Sequence, residues 1–134
     1  MKPQSGHFNN TSGNKAYTSQ QKIDIINFVN KGKTNKIPNT IAQIDHIFAD
    51  REGHLPFSEE NVNTISDLIN NDKNKVLNSD KNNNSWFESI NSDSGQLWGK
   101  VHDNVLSDGG LNKTPIELDD DTGFDKNPFK KEGK

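Results

Sequence analysis

The apolar residues of this chain change their spacing near residue 71, and this change constrains the fold more than any other feature of the sequence. Before it, apolar residues recur every three or four positions in three segments, as in amphipathic helices. After it, short apolar segments are separated by clusters of Asn, Asp, Ser and Gly, as in consecutive antiparallel strands. Helices followed by strands predict an α+β domain, with N-terminal helices packed on a small antiparallel β-sheet.

Local signals place the three predicted helices. Thr18 and Gln21 have the spacing of a capping box, which predicts a helix start. Ser58 precedes two glutamates, and acidic residues favour the first turn of a helix. The predicted helices cover about 19–31, the stretch that Pro38 opens and that carries Ile41, Ile44 and Phe48, and the stretch from Ser58 to about Ile69.

The third of the predicted strands combines three chemically useful side chains on one face. The predicted strands cover 75–77, 85–90, 96–102 and 104–107. Because side chains alternate along a strand, Trp98, Lys100 and His102 share the face opposite Leu97 and Val101. An aromatic ring beside a positive charge suits single-stranded nucleic acid. The alternative is an exposed strand on which Trp98 covers a neighbour.

Composition limits the size of the domain and the classes of function. The chain has 134 residues, of which only 28% are hydrophobic, so we expect one domain with a small core. We predict a polar N-terminal arm or linker over 1–17, a single domain over 18–115 and a polar, partly disordered tail over 116–134. The net charge of -3 argues against bulk attraction to nucleic acid, so RNA binding would need a local basic patch.

Other classes are excluded by what the sequence lacks. The absence of cysteine excludes disulfides and thiolate zinc sites. Apolar stretches stay shorter than the roughly 20 residues that span a bilayer, so no membrane span is expected. The first ten residues contain no apolar segment of the kind found in secretory signals.

Two histidines lie eight positions apart in the segment DHIFADREGHL. His46 lies off the apolar stripe of its predicted helix, and His54 directly follows Gly53, beside Arg51. Two imidazoles permit concerted acid–base catalysis, in which one abstracts a proton while the other protonates the leaving group. RNA carries its own nucleophile, the 2′-OH, and Lys100 would stabilise charge on the phosphate. The bland alternative is a solvated His46 and a His54 that caps a turn.

Two further interpretations concern ligands. Asp45, His46 and His54 are residue types that bind zinc or another divalent ion, so a metal-dependent nuclease acting on DNA or RNA is an alternative. The segment 107–115 contains a double glycine, which predicts a tight turn with exposed amides. Asn112, Lys113 and Thr114 would then donate hydrogen bonds to an anion. An ordinary turn is the simpler interpretation.

Several segments follow one another along the chain: HIFADREGHL, a Ser-Glu-Glu-Asn helix, a Trp-bearing strand, QLWGKVHDN and DGGLNKTP. This order resembles that of the C-terminal toxin modules of bacterial polymorphic toxins. These modules are found at the C-terminal ends of contact-dependent inhibition (CdiA-type) proteins and of RHS-type proteins. The resemblance covers about residues 44–115. The arrangement of these segments is similar to that in the EndoU-like branch of the barnase–EndoU–colicin–RelE superfold. It implies catalytic roles for His46, His54, Lys100 and Thr114. With it we expect substrate binding by Trp98, His102, Arg51, Asn112 and Lys113.

The resemblance also implies a function. It predicts a metal-independent endoribonuclease toxin without a cofactor, with tRNA as the expected RNA substrate and a cognate immunity protein as partner. Such a module would be secreted or displayed on a larger effector and would act in the cytoplasm of a target bacterium. A non-enzymatic binding module, such as an adhesin tip or an immunity-type partner, is the alternative from another class.

Overall fold

The computed structural model describes residues 16–124, which form three helices and one four-stranded sheet. The helices are α1 (Ser19–Asn30), α2 (Ile41–Ile47) and α3 (Glu59–Ile69). The strands are β1 (Lys75–Leu77), β2 (Ser85–Asn91), β3 (Gly95–His102) and β4 (Val105–Asn112). They pair antiparallel in the order β1-β2-β3-β4. The predicted α+β class is confirmed.

The helix starts follow from capping. Thr18 Oγ1 accepts a hydrogen bond from the Gln21 amide at 3.0 Å, and Gln21 Oε1 accepts one from the Thr18 amide at 2.9 Å. Ser58 Oγ accepts from the Asn61 amide at 3.0 Å and starts α3. These bonds satisfy amides that have no partner within the helix. The second helix begins at Ile41, after the extended N-cap residue Thr40, and not at Pro38 as predicted.

The helices cover one face of the sheet. Their apolar residues pack against Phe87, Val101 and Leu106 to form a single buried core. Strand β3 approaches α3 closely at Gly99, where a Cβ atom would lie 2.8 Å from Ile69 Cγ2. The face of β3 that was predicted to pack on the helices therefore does so.

Strand β4 differs from the sequence prediction. It runs without a turn through Gly109 and Gly110, which pair with Gly99 and Trp98 of β3. A Cβ atom on Gly110 would lie only 2.1 Å from the carbonyl oxygen of Gly53. The double glycine therefore permits close packing of a loop on the strand, and the predicted anion-binding turn at this position is wrong.

The folded part of the chain extends past residue 115. The Ile116 amide donates to Gln96 Oε1 at 2.9 Å, and Phe124 is buried edge-on against Trp86, with ring centroids 5.5 Å apart. Residues 116–124 are thus part of the domain. The rest of the predicted tail and residues 1–15 lie outside the described residues. None of the described helices is long and apolar enough to cross a membrane.

Candidate functional site

A cavity of about 420 Å³ lies on the face of the sheet that is turned away from the helices. Residues that pair directly across a ladder point to the same face. Trp86, Lys100 and Asp108 are such neighbours on β2, β3 and β4, and all three line the cavity. One wall comes from the loop of residues 48–58 between α2 and α3, which we call the His54 loop.

Two strands hold the His54 loop in place. The carbonyl oxygen of Gly53 accepts a hydrogen bond from the Leu111 amide and another from Trp98 Nε1, each at 3.1 Å. Gly53 itself has a φ of +87°, which a residue with a side chain rarely adopts. The loop thereby fixes the position of His54 above β3 and β4.

His54 has a defined tautomer. Its Nδ1 lies 2.8 Å from the carbonyl oxygen of Ile47. Because a carbonyl oxygen only accepts hydrogen bonds, Nδ1 carries the proton in this contact. In the neutral ring Nε2 then keeps its lone pair and is able to take a proton. The His54 side chain is only 8% exposed, so the ring is held firmly by its surroundings.

His46 lies beside His54, as the spacing of the two histidines suggested. It is the last polar residue of α2, its side chain is 60% exposed, and its ring centroid is 6.3 Å from that of His54. Arg51 donates a hydrogen bond to the His46 carbonyl oxygen at 3.0 Å and also lines the cavity. The structure therefore brings these three predicted site residues together.

Asp108 completes the cluster, and sequence reasoning missed it. Its carboxylate oxygens lie 3.7 Å from His46 Nε2 and 3.8 Å from His54 Nδ1. These distances are longer than a hydrogen bond, and they permit a charge–charge interaction with an imidazole that is protonated. Asp108 is a residue of β4 and lies directly opposite Lys100 of β3. Extending the predicted strand 104–107 to include it would have revealed this position.

Trp98 does not offer a free ring face for a base. Its ring stacks on Trp86, with centroids 6.0 Å apart and planes at 24°, and it meets His54 edge-on at 6.1 Å. The alternative interpretation, in which Trp98 covers a neighbour, describes the structure better than a free stacking surface. Trp98 therefore supports His54 by packing and by its hydrogen bond to Gly53.

Lys100 supplies a positive charge to the cavity. Its Nζ lies 5.7 Å from the centre of the Trp86 ring, a cation–π distance. Within the described part of the chain, no carboxylate lies within 4.0 Å of this ammonium group. A half-buried cation without a close counterion is suited to holding an anionic ligand.

Asp80 anchors the other wall of the cavity. Burial alone would raise its pKa, but hydrogen bonds from Trp86 Nε1, from the backbone amides of Asn84 and Asn82 and from the Asn84 side chain outweigh this effect. The pKa of Asp80 therefore lies below its ordinary value of 3.8. The ionised carboxylate fixes the Trp86 indole, on which Trp98 stacks.

Several predicted ligand residues lie elsewhere. His102 lies at the end of β3, 3.4 Å from Asp103 and outside the cavity lining, and Lys113 and Thr114 are exposed beyond β4. The turn that was to bring Lys113 and Thr114 to an anion does not exist, so that role is wrong. Asn112 does line the cavity, but its amide group donates to Gln96 and not to an anion site.

The predicted metal ligands are not assembled. Asp45 forms an ion pair with Lys22 at 2.7 Å, whereas the carboxylate that lies near both histidines is that of Asp108. Among residues 16–124, no group of three or more His, Asp or Glu side chains is arranged to hold a metal ion. The set Asp45, His46 and His54 therefore does not form the site that the sequence suggested.

The site thus combines a buried imidazole, an exposed imidazole, a carboxylate near both and the ammonium group of Lys100. Such a set is able to move protons to and from a bound anion. Comparisons of the chain with protein-family models, with curated proteins and with solved structures found no match. The geometry of the site therefore has to carry any proposal of function.

Proposed function

We propose that this protein is a metal-independent endoribonuclease that cleaves RNA by attack of a 2′-OH on the adjacent phosphodiester. The observation that carries the proposal is the proximity of His46 to His54, which lines the cavity: their ring centroids are 6.3 Å apart. An acid and a base must each come within about 3 Å of the oxygen that they serve. Two rings at this separation can reach the attacking and the leaving oxygen of one phosphorus.

The tautomer of His54 supports its role as the base. Its Nδ1–H is directed to the Ile47 carbonyl, so Nε2 takes the proton of the 2′-OH as the 2′-oxygen bonds to phosphorus. His46, in its protonated form, donates a proton to the 5′-oxygen as the bond from that oxygen to phosphorus breaks. The products are a 2′,3′-cyclic phosphate and a 5′-hydroxyl, and the two histidines end in exchanged protonation states.

Charges around the histidines favour this reaction. The Asp108 carboxylate, 3.7 Å and 3.8 Å from the two rings, compensates the imidazolium that is present on either ring during the cycle. Lys100 and Arg51 line the same cavity and stabilise the negative charge that develops on the phosphate oxygens. The carboxylate thus stabilises the positive charge on the histidines, and the cations stabilise the negative charge on the phosphate.

The biological context is a narrower part of the proposal. The resemblance of residues 44–115 to polymorphic-toxin modules supports a toxin that is delivered on a larger effector, acts on tRNA in the cytoplasm of a target bacterium and is blocked by a cognate immunity protein. Expression inside a bacterium tests this part, because an active ribonuclease arrests growth whereas a non-enzymatic binding module is tolerated.

Cleavage of total RNA by the purified protein in EDTA tests the enzymatic proposal. His46→Ala and His54→Ala should each lower the rate by about 100-fold or more, since each removes one proton-transfer group. His102→Ala is the matched control, because His102 is an exposed histidine at the end of β3 that lies beside Asp103 and does not line the cavity. Full activity in both the His46 and the His54 variant, with native circular dichroism, contradicts the proposal. Loss of the wild-type activity in EDTA favours a metal-dependent nuclease instead.

A further inference from the structure

The side chain of Asn112 presents an unpaired acceptor at the wall of the cavity. Asn112 is only 7% exposed, and its Nδ2 donates to Gln96 Oε1 at 2.8 Å. Its other polar atom, Oδ1, accepts no hydrogen bond from any residue in the range 16–124. This oxygen lies beside Gly53, where a Cβ atom would be 3.3 Å from it.

A hydrogen-bond network fixes which way this amide points. Gln96 is 1% exposed, and its Oε1 accepts from the backbone amide of Ile116 at 2.9 Å. Its Nε2 donates to Glu88 at 2.8 Å and to the Ile116 carbonyl at 3.0 Å. A backbone N–H only donates, so the Gln96 atom that faces it is the oxygen. Asn112 must therefore offer its NH₂ to Gln96 and its oxygen to the Gly53 side.

The fixed oxygen selects a particular ligand chemistry. A carbonyl oxygen repels the oxygens of a phosphate and binds N–H or O–H donors. Nucleobases carry such donors on their edges, including the exocyclic amino groups of adenine, cytosine and guanine. A buried acceptor that stays unpaired in a complex weakens binding, so a ligand that pairs with Asn112 is favoured over one that does not.

We propose that the cavity binds one nucleobase of the RNA and that Asn112 Oδ1 accepts a hydrogen bond from an N–H of that base. This inference rests on the proposed ribonuclease function. The volume of about 420 Å³ lies within the roughly 300–1,000 Å³ of small-molecule sites. Ile116 and Phe124 add apolar wall for a flat ring, and His54 lines the same cavity, so base and reacting phosphate share one site.

Binding of mononucleotides tests this inference without requiring cleavage. The four nucleoside 3′-monophosphates are titrated into the wild-type protein by calorimetry. The best ligand is then compared with an analogue whose base lacks the N–H donor, because its amino group is replaced by hydrogen or its N–H hydrogen is replaced by methyl. For the adenosine compound this analogue is purine riboside 3′-monophosphate. We expect the analogue to bind about 5- to 150-fold more weakly, because it leaves the Asn112 oxygen unpaired.

Two variants assign the effect to Asn112. In Asn112→Ala the nucleotide and its analogue should bind equally, because the acceptor is gone. Asn63→Ala is the matched control, since Asn63 lies on the exposed side of α3 outside the cavity, and it should keep the full difference. If Asn112→Ala does not fold, the comparison of the two ligands on the wild-type protein still tests the inference.

Two results would overturn the inference: none of the four nucleotides binds, or the analogue binds the wild-type protein as tightly as its parent. In the second case the 2′-deoxy form of the best nucleotide is titrated as well, and a loss of its affinity would assign the donor to the ribose hydroxyl. Failure of the proposed function looks different, since nucleotides would then bind as expected while RNA stays intact.

Discussion

Substitution of Gly110 by alanine should displace the His54 loop without removing any side chain of the proposed ribonuclease site. Gly110 lies in β4 directly beneath the His54 loop. A Cβ atom there would lie 2.1 Å from the Gly53 carbonyl oxygen and 2.5 Å from the Cα atom of His54. Non-bonded carbon atoms prefer separations of about 3.5–4.0 Å, so His54 must move by about 1 Å or more.

The size of this displacement sets the expected loss of activity. A misplacement of about 1 Å in a catalytic group costs on the order of 100-fold in rate. Forcing an extra methyl group into a packed contact costs about 1–3 kcal/mol of the free energy of unfolding. Gly110→Ala should therefore cleave RNA about 100-fold more slowly than the wild-type protein at a temperature where both are folded.

Gly99→Ala provides the control. A Cβ atom on Gly99 would point to the other face of the same sheet, where it would lie 2.8 Å from Ile69 Cγ2 and meet side chains of Leu68 and Leu106 instead of the His54 loop. Urea titration should show destabilisation of both variants, whereas RNA cleavage should fall only in Gly110→Ala. A folded Gly110→Ala protein that cleaves at the wild-type rate would refute the role assigned to His54.

Three further predictions concern other parts of the account. Asp108→Asn should lower the RNA cleavage rate by about 10-fold or more without unfolding the protein, because the charge near both imidazoles is lost. Cleavage at the wild-type rate would contradict a role of Asp108 in the reaction. The pKa of Asp80 is lowered in the folded protein, so the stability that its carboxylate contributes is complete above its ordinary value of 3.8 and is lost as the pH falls through the folded pKa. Urea titrations below pH 4 should therefore show a steeper loss in the wild-type protein than in Asp80→Asn, and equal slopes would contradict this. Ser58→Ala should cost about 1 kcal/mol in thermal or urea unfolding because the Asn61 amide loses its cap, and an unchanged midpoint would count against the cap.

The helices and most of the sheet could be predicted because their signals are local. The capping box at Thr18 and the cap at Ser58 need only neighbouring residues, and both form as expected. The alternation of apolar residues likewise assigned the two faces of β3 correctly, with Val101 buried and Lys100 turned to the cavity. Patterns of this kind are set by backbone geometry and survive in the folded protein.

The candidate site could be predicted only in part, because its remaining members depend on contacts between distant segments. Gly110 is glycine because Gly53 packs on it, 57 positions away in the sequence, and this reason is invisible to a local pattern that associates double glycine with turns. The prediction of a turn there ended the strand at residue 107, so Asp108 was not recognised as a residue of β4 that faces the cavity. It also gave Asn112 a donor role toward an anion, whereas its Nδ2 donates to Gln96 in the folded protein.

The chemical ends of the cleavage products test the central claim most directly. A DNA oligonucleotide with one ribonucleotide is incubated with the protein in EDTA, and the products are identified by mass spectrometry. The roles of His46 and His54 predict a single cut after the ribonucleotide, with a 2′,3′-cyclic phosphate and a 5′-hydroxyl, and no cut in the all-deoxy oligonucleotide. Cleavage of the all-deoxy oligonucleotide, or products that carry a 5′-phosphate, would contradict attack by the 2′-OH.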